Sequence, residues 1–220
     1  MSTRPAVLSD LAEKVAPEHT ALILIDWVND FMDPEGKTAV EAGRPIEFAR
    51  SVIPTAQRLL ASAREAGVLV AHVQHTTLPE YASSSGPWLD ARSRATYSVE
   101  DICLDGSWGH RIIDELEPAP GEPVVKKYRY SGFAGTNLDL LLRSANRRSI
   151  VVAGVSTNAC VEATAREGFS LDYYVVYAGD ACASWNMELH DATLASAAHR
   201  YATVTDTPTL VDTWRAGHPS

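Results

Sequence analysis

One stretch of the chain, SIVVAGVSTNACVEATAREGF at residues 149–169, combines a strand pattern with a helix pattern. Its opening run, Ser149–Val155, is short, apolar and rich in β-branched side chains, which is typical of a strand buried on both faces of a parallel sheet. A helical pattern follows from Asn158 to Leu171, and residues 156–158 are of types that cap helix N-termini. The stretch therefore predicts a strand, a tight turn and a helix, the repeating unit of an α/β fold.

Similar apolar runs recur along the chain, with helical patterns between them. The other predicted strands are Ala21–Ile25, Val68–Val73, 123–126, Tyr173–Ala178 and Ala202–Thr205. The other predicted helices are Pro45–Ala66, which Pro54 kinks or divides, and then Trp108–Leu116, Thr136–Arg143 and Glu188–Arg200. This alternation predicts a single-domain α/β protein, a three-layer αβα sandwich around a mainly parallel, six-stranded, Rossmann-like sheet. We expect an N-terminal arm over residues 1–19, extended along the surface, and the domain over residues 20–220.

Composition excludes several functional classes. The chain has 220 residues and a formal net charge of −9, which disfavours general nucleic-acid binding because phosphates require clustered Lys and Arg. The N-terminus lacks the apolar segment of a signal peptide, and no apolar run approaches the ~20 residues of a membrane span. Cys103, Cys160 and Cys182 are too few, and odd in number, for a disulfide framework. We therefore expect a cytoplasmic protein with reduced thiols and with neither nucleic acid nor membrane as a partner.

Side chains that can do chemistry follow three strands of the predicted sheet. Asp26 comes directly after the first strand, Lys126 and Lys127 end the third, and Cys160 follows the fourth. In open parallel sheets, ligands bind beyond the carboxyl ends of the strands, so we expect a carboxylate, a lysine and a thiol at one edge. Adjacent strand residues point to opposite faces, so only one lysine of the pair can face the site.

These residue types suit nucleophilic catalysis. At the start of a helix, exposed N–H groups and the helix dipole favour a thiolate at Cys160 and can hold an oxyanion. A nearby lysine stabilises the thiolate, and Asp26 can shuttle the proton. Each residue also has a structural interpretation: Cys160 as a small buried apolar group, Asp26 as a cap or turn residue, and the lysines as a solvated pair.

A long connection separates the second and third strands. Residues 76–107 are rich in Ser, Pro and aromatic residues, among them Tyr81, Trp88 and Tyr97. Connections of this length are usually lids or binding loops. We expect it to close an aromatic lid over a small site, which suits planar amide and urea groups.

Three blocks of the sequence resemble those of the isochorismatase-like cysteine hydrolases. They are ALILIDWVNDF at residues 21–31, PGEPVVKKYRYSGFAGTNLDLLLRS at residues 120–144 and VVAGVSTNACVEATAREGFSLDYYVVYAGDACAS at residues 151–184. The resemblance runs from about Ala21 to Thr205. Within the family, the GSW, RYSGF and VEATAREGF runs look most similar to the ureidoacrylate- and N-carbamoylsarcosine-type amidases.

The resemblance implies a role for each candidate residue. Asp26 is the general acid/base, Cys160 is the nucleophile, and Lys127 completes an Asp-Lys-Cys triad, because the family spacing is Lys, any residue, Arg-Tyr-Ser. It further implies a cis peptide between Val155 and Ser156, with an oxyanion hole formed by the backbone N–H groups of Ser156 and Cys160. Aromatic and amide side chains near these positions are candidate substrate-binding residues: Phe31, Trp88, Tyr130 and Asn158, with Trp108 as a further candidate or a helix-packing residue.

Two departures from the family pattern bear on the site. The family often has Asp-Met-Gln at its first motif, whereas this chain has Asp-Trp-Val at residues 26–28. Metal-binding members carry an Asp and two His after the second strand, where this chain has His72 and His75 and no nearby Asp. Residues three apart on a strand point to opposite faces, so these histidines are a poor ligand pair, and we expect neither metal nor cofactor. We interpret His72 as a core or strand-end residue, whereas His75 lines the site or lies at the surface.

Together these features predict a cysteine-dependent amidohydrolase. Cys160 attacks the carbonyl of a small linear amide, ureido or N-carbamoyl compound, Asp26 protonates the leaving ammonia or amine, and water hydrolyses the thioester. Two alternatives stay open, an isochorismatase-type vinyl-ether hydrolase and a non-catalytic binding protein of the same fold. We assign Cys103 no role and interpret Cys182 as buried and inert. We expect a homodimer or homotetramer, since homo-oligomers are common.

Overall fold

A six-stranded sheet forms the middle layer of the molecule. The computed structural model describes residues 4–94 and 100–217. The strands are β1 Thr20–Ile25, β2 Leu69–His75, β3 Val124–Lys127, β4 Ser149–Val155, β5 Tyr174–Ala183 and β6 Ala202–Thr205. Their order is β3-β2-β1-β4-β5-β6, and every neighbouring pair is parallel. The predicted α/β class with a parallel sheet is confirmed, whereas the boundary between an arm and a domain at residue 20 stays a prediction.

Helices cover both faces of this sheet. They are α1 Leu11–Lys14, α2 Asn29–Met32, α3 Lys37–Val40, α4 Glu47–Ser51, α5 Ile53–Glu65, α6 Gly86–Arg94, α7 Leu138–Ser144, α8 Glu162–Ser170, α9 Met187–Arg200 and α10 Thr207–Gly217. The helix predicted over 45–66 is divided at Val52 into α4 and α5. Pro54 lies in the first turn of α5, where its missing N–H leaves no helical hydrogen bond unmade.

The strand β1 is buried on both faces because its side chains alternate between two apolar cores. Leu22 and Leu24 pack in one core, which also contains Trp214 of α10 and residues of α5. Ile23 and Ile25 pack in the other core with residues of α7 and α8. The continuous apolar run of β1 is therefore the sequence signature of a strand with helices on both sides.

The region from Trp108 to Leu116 does not form the predicted helix, and only its last turn is a short 3₁₀ helix. Its backbone is hydrogen-bonded instead to the segment that follows β1. The Asp30 N–H donates to the Gly109 carbonyl oxygen at 2.9 Å, and the Ile113 N–H donates to the Trp27 carbonyl oxygen at 2.9 Å. These long-range bonds use backbone groups that an α-helix would need for itself.

The segment before β1 is partly helical rather than extended throughout. α1 begins after Asp10, whose carboxylate accepts a hydrogen bond from the Glu13 N–H in a capping box. The buried Val15 follows, and its carbonyl oxygen accepts a hydrogen bond of 2.8 Å from Trp214 Nε1. α10, which supplies this tryptophan, has no counterpart among the predicted helices. Residues 11–19 thus pack against the C-terminal helix.

The connection between β2 and β3 contains a 3₁₀ turn at Pro79–Tyr81 and the helix α6. Trp88 lies in α6, and Tyr81 is exposed. The third aromatic residue of the predicted lid, Tyr97, lies outside the described residues. Across the described ranges 4–94 and 100–217, helices are too short or too polar to cross a lipid bilayer.

Candidate active site

The three residues expected at the sheet edge meet at one point. Asp26 directly follows β1, Lys127 is the last residue of β3, and Cys160 lies in a π-helical turn after β4. Lys127 Nζ is 2.8 Å from Asp26 Oδ2 and donates a hydrogen bond of 3.1 Å to Cys160 Sγ. The ammonium group therefore bridges the carboxylate and the thiol, as expected for side chains carried beyond the carboxyl ends of strands in one parallel sheet.

The Asp26 carboxylate is held in a fixed orientation. The residue has a positive φ of 59°, a left-handed conformation that Asp adopts more readily than most residues. Its backbone N–H donates to the Val73 carbonyl oxygen at 2.8 Å, and its Oδ1 accepts a 2.7 Å hydrogen bond from the His75 N–H. With Oδ2 paired to Lys127, both carboxylate oxygens have partners contributed by other strands.

The two adjacent lysines of β3 have opposite environments. The Lys127 side chain is fully buried, whereas Lys126 is exposed and its Nζ lies 2.6 Å from Asp105 Oδ1. This is the period-two alternation that allows only one of them to face the site. Burial by itself lowers the pKa of Lys127, but the charges of Asp26 and Cys160 and the hydrogen bonds to them outweigh it and raise the pKa above its ordinary value. The ammonium group is therefore protonated throughout the neutral range.

Cys160 does not have the depressed pKa that the sequence suggests. Burial and the charge of Asp26 raise the pKa of the thiol to about 12, although Lys127 acts in the opposite direction. The residue also lies in the π-helical turn Thr157–Val161 rather than in the first turn of α8, and the peptide between Val155 and Ser156 is cis. The raised pKa keeps the Cys160 side chain in the thiol form near neutral pH.

A cavity of about 80 Å³ opens onto Cys160, and three of the four candidate substrate-binding residues line it: Phe31, Trp88 and Tyr130. Their rings and the imidazole ring of His75 form one row of ring contacts. The ring centroid of His75 is 6.2 Å from that of Phe31 and 6.0 Å from that of Trp88, which is 4.8 Å from that of Tyr130. Ser156 also lines the cavity. The connection between β2 and β3 therefore contributes one ring of this aromatic wall, that of Trp88 in α6.

Two other candidates lie away from this cavity. The fourth substrate-binding candidate, Asn158, is not among the lining residues, and its Oδ1 accepts a 2.6 Å hydrogen bond from the Ser184 hydroxyl. Trp108 is half-exposed outside the cavity, and its carbonyl oxygen accepts a 2.9 Å hydrogen bond from Asn29 Nδ2. The expected helix packing of Trp108 is also wrong, since no helix forms there. Asn158 is instead placed to brace the turn that carries Cys160 against the end of β5.

Sequence reasoning missed seven residues that line the cavity, and the three with large polar or aromatic side chains among them are Arg44, Arg92 and Trp185. Arg92 follows Trp88 by four residues on α6, so helical spacing predicts a shared face and offers a signal for it. Arg44 lies between α3 and α4, and Trp185 lies between β5 and α9. No local pattern marks either of these two as part of a site.

The two histidines of β2 lie in different surroundings. His72 Nε2 lies 3.0 Å from Glu122 Oε2, whereas His75 is buried beside the cavity. Burial and the positive charges of Lys127 and Arg92 hold the pKa of His75 well below its ordinary value, so its imidazole is neutral. Within the described parts of the chain, no three His, Cys, Asp or Glu side chains converge as metal ligands. That the protein requires no metal ion for activity stays a prediction.

The Asp-Trp-Val sequence at residues 26–28, which departs from the family pattern, still forms a hydrogen-bonded turn at Asp26. The Val28 N–H donates to the Asp26 carbonyl oxygen at 2.9 Å, and the Val28 side chain is buried against Ile102 and Cys103. Trp27 is buried in the core formed with α5 and α10. Cys103 and Cys182 are fully buried, which agrees with an inert Cys182.

Lys127→Ala is expected to make Cys160 alkylate more slowly at any given pH. Removal of an ammonium group 3.1 Å from Sγ raises the thiol pKa and lowers the thiolate fraction, so the rate of reaction with iodoacetamide falls at every pH by roughly tenfold or more. Lys126→Ala is the matched control and leaves the rate unchanged, because Lys126 pairs with Asp105 on the opposite face. A lower rate in the Lys126 variant, or in neither variant, would contradict the assignment of Lys127.

Comparisons with known proteins agree with this geometry. A family model described as the isochorismatase domain matches residues 20–209. Over 190 residues the chain is 36% identical to ureidoacrylate amidohydrolase RutB of Enterobacter sp. (strain 638), covering 82% of this chain and 81% of that protein.

Solved structures show the same fold. The crystal structure of a cysteine hydrolase from Pseudomonas syringae pv. phaseolicola 1448A superposes with a TM-score of 0.83 at 25% identity, over 93% of this chain and 96% of that one. The N-carbamoylsarcosine amidase of Thermoplasma acidophilum superposes with a TM-score of 0.68 at 27% identity, over 86% of this chain and 96% of that one. From the matched domain, the sequence identity and the shared fold, we conclude that this chain belongs to the isochorismatase family and is a hydrolase.

Proposed function

We propose that this hydrolase is a cysteine-dependent amidohydrolase that cleaves the C–N bond of a small linear amide, ureido or N-carbamoyl compound. The observation that carries the proposal is the buried contact of Lys127 Nζ with both Asp26 Oδ2 and Cys160 Sγ beside the cavity. This arrangement combines a nucleophile, a proton carrier and a fixed positive charge at one point. It is chemistry that a non-catalytic binding protein does not need.

The proposed reaction begins with a proton transfer, because the pKa of Cys160 is raised to about 12. Asp26 accepts the thiol proton as Sγ attacks the substrate carbonyl carbon. The negative charge that develops on the carbonyl oxygen is stabilised by the backbone N–H groups of Ser156 and Cys160. Asp26 then gives its proton to the leaving nitrogen as the C–N bond breaks, which leaves a thioester on Cys160.

Hydrolysis of the thioester completes the cycle. Asp26 takes a proton from water, the hydroxide oxygen attacks the thioester carbonyl, and the Cys160 thiolate leaves and recovers the proton. Lys127 keeps its proton throughout, since its raised pKa excludes it from acid–base exchange near neutral pH. Its charge instead stabilises the thiolate each time it forms.

The cavity favours small planar substrates. Phe31, Trp88 and Tyr130 offer ring faces and edges on which a flat amide or urea group packs well. The relatives named ureidoacrylate amidohydrolase and N-carbamoylsarcosine amidase support a ureido or N-carbamoyl end. We also propose that this protein forms a homodimer or a homotetramer, since homo-oligomers are common.

A substrate panel tests the proposal. Ammonia release is measured for ureido acids, an N-carbamoyl amino acid, biuret, primary aliphatic amides and nicotinamide, and pyruvate release is measured for isochorismate. We expect the highest kcat/KM for a ureido or N-carbamoyl compound. We expect a low kcat/KM for nicotinamide. Within the described residues, no cluster of His, Cys, Asp or Glu side chains could hold a metal ion to bind its pyridine nitrogen. Release of ammonia from no compound, or a higher kcat/KM for isochorismate than for every ureide, would contradict the proposal.

A further inference from the structure

Asp30 is a buried acidic residue that the proposed reaction does not use. It belongs to α2. Its Oδ1 accepts a 3.2 Å hydrogen bond from the Lys37 N–H at the start of α3, and its Oδ2 accepts a 2.6 Å hydrogen bond from the Cys103 N–H in the connection between β2 and β3. The carboxylate therefore ties two separate segments of the chain to α2.

Each of the three segments joined at Asp30 contributes a residue to the cavity. These residues are direct sequence neighbours of Asp30 and of its two N–H donors: Phe31, Thr38 and Ile102. We call them the anchored wall. Asp30 does not itself line the cavity, so its carboxylate acts on the shape of the cavity through these neighbours.

The glycine at position 109 makes room for this carboxylate. A Cβ atom on Gly109 would overlap the carboxylate group of Asp30. The Gly109 carbonyl oxygen also accepts a 2.9 Å hydrogen bond from the Asp30 N–H, so the two backbones cannot separate without breaking this bond. A side chain at position 109 would therefore displace the carboxylate from its two N–H donors.

A second link between the two donor segments is weaker. Lys37 Nζ forms an ion pair with Asp101, and both side chains are partly exposed. Exposed ion pairs contribute little to stability because water screens them, whereas a buried N–H group that loses its acceptor destabilises the fold. The Asp30 carboxylate is therefore the stronger of these two restraints on the anchored wall.

We propose that Asp30 is a positioning residue whose carboxylate fixes the anchored wall and thereby limits the size of the molecules that reach Cys160. Without this acceptor, two buried N–H groups would need water as a partner, which they reach only if the segments separate. A looser wall would admit larger molecules and hold a small substrate less well. The effect on cavity shape stands by itself, whereas the effect on substrate binding rests on the proposed amidohydrolase function.

Two alkylating reagents of different size test the effect on shape without requiring turnover. Iodoacetamide and N-benzyliodoacetamide share one reactive group, but a cavity of about 80 Å³ is small for a benzyl group, since a cavity that binds benzene measures ~150 Å³. Their rates of reaction with Cys160 are measured by peptide mass spectrometry. The rate ratio cancels the thiolate fraction, and dividing it by the ratio for N-acetylcysteine removes the intrinsic reactivities of the reagents.

The normalised ratio is the size preference of Cys160. We expect the wild-type protein to favour iodoacetamide by roughly tenfold, because the bulky group must force the wall apart. Asp30→Asn keeps one oxygen acceptor but turns an NH₂ group toward the other N–H donor. We expect this variant to lower the size preference by roughly threefold or more.

Asp33→Asn is the matched control. The Asp33 Oδ1 accepts a 2.9 Å hydrogen bond from the nearby Glu35 N–H, so this variant loses one negative charge without releasing the anchored wall, and its size preference should equal that of the wild type. An unchanged melting temperature and continued protection of the buried Cys182 show that each variant is folded. A wild-type protein without a size preference, or an unchanged preference in Asp30→Asn, would overturn the proposal.

Gly109→Ala reaches the same carboxylate from another side and serves as the second variant if Asp30→Asn does not fold. We expect it to lower the size preference, because its Cβ displaces the carboxylate. In a protein that already carries Asp30→Ala, the added Cβ has room, so Gly109→Ala should change the preference by less than about twofold. An unchanged preference in Gly109→Ala, or equal effects in both backgrounds, would overturn the role of the carboxylate.

Steady-state kinetics separate this inference from the proposed function. For the best substrate of the panel, Asp30→Asn should raise KM by roughly threefold or more and leave kcat within about twofold, because its carboxylate accepts backbone N–H groups rather than the reacting side chains. A variant that is only less stable contains less folded enzyme, which lowers the apparent kcat and leaves KM unchanged, and that result would overturn the positioning role. A size preference that depends on Asp30, found without ammonia release from any compound, would contradict the amidohydrolase and leave the anchored wall in place.

Discussion

Cys160→Ala abolishes ammonia release, with a loss of at least ~10⁴-fold in kcat, because no thioester can form without Sγ. The fold is expected to persist, since the substitution removes a single buried atom and the small alanine side chain suits a helical turn. Activity is measured by ammonia release, and the melting temperature is measured by circular dichroism. Turnover retained in Cys160→Ala would exclude covalent catalysis at this residue.

The other two cysteines provide the controls. Cys182→Ala alters a fully buried thiol of β5 that lies outside the cavity, and we expect it to keep most of the activity. In the wild-type protein, iodoacetamide should modify Cys160 ahead of Cys103 and Cys182, because only Cys160 opens onto the cavity. The reaction should be slow at pH 7, since the pKa of Cys160 is raised to about 12. Rapid alkylation at Cys103 or Cys182 would contradict this order.

Asp26→Asn is expected to lower kcat by roughly 10²–10⁴-fold, because an amide cannot carry the proton between the thiol and the leaving nitrogen. The same substitution should increase the reactivity of the thiol. The negative charge of Asp26 is one of the causes that raise the pKa of Cys160, so its removal lowers that pKa and moves the alkylation profile to lower pH. Turnover and alkylation therefore change in opposite directions. Because an unfolded variant would also lose turnover and alkylate faster, the melting temperature must stay close to that of the wild type, and the buried Cys103 and Cys182 must stay unreactive.

Asp139→Asn is the control for the loss of one negative charge. Its carboxylate pairs with Arg143 at the surface, and neither kcat nor the alkylation profile should change. Full activity in Asp26→Asn would exclude Asp26 as the proton carrier. A loss of kcat accompanied by a shift of alkylation to higher pH would show that Asp26 does not act on Cys160 through its charge.

The sequence alone determined the sheet and the positions of Asp26, Lys127 and Cys160 on it. Apolar runs such as Ala21–Ile25 specify buried parallel strands because every side chain must be apolar when both faces are covered. The period of two along β3 predicted that one lysine faces the site and the other faces away, as found for Lys127 and Lys126. The rule that parallel strands present their carboxyl ends at one edge brought Asp26 and Cys160 to the same place. These are local patterns and general rules of topology.

Long-range contacts decided what the sequence could not show. The region Trp108–Leu116 has a helical pattern, but hydrogen bonds to the segment after β1 take its backbone groups. The raised pKa of Cys160 follows from its burial and from the distance to charges on other strands, which have no representation in a local pattern. The cavity wall includes Arg44 and Arg92, which are far apart in the chain and line the same cavity only because separate connections fold over it. Local spacing sets which residues share an element, whereas the electrostatics of the site arise from how the elements pack.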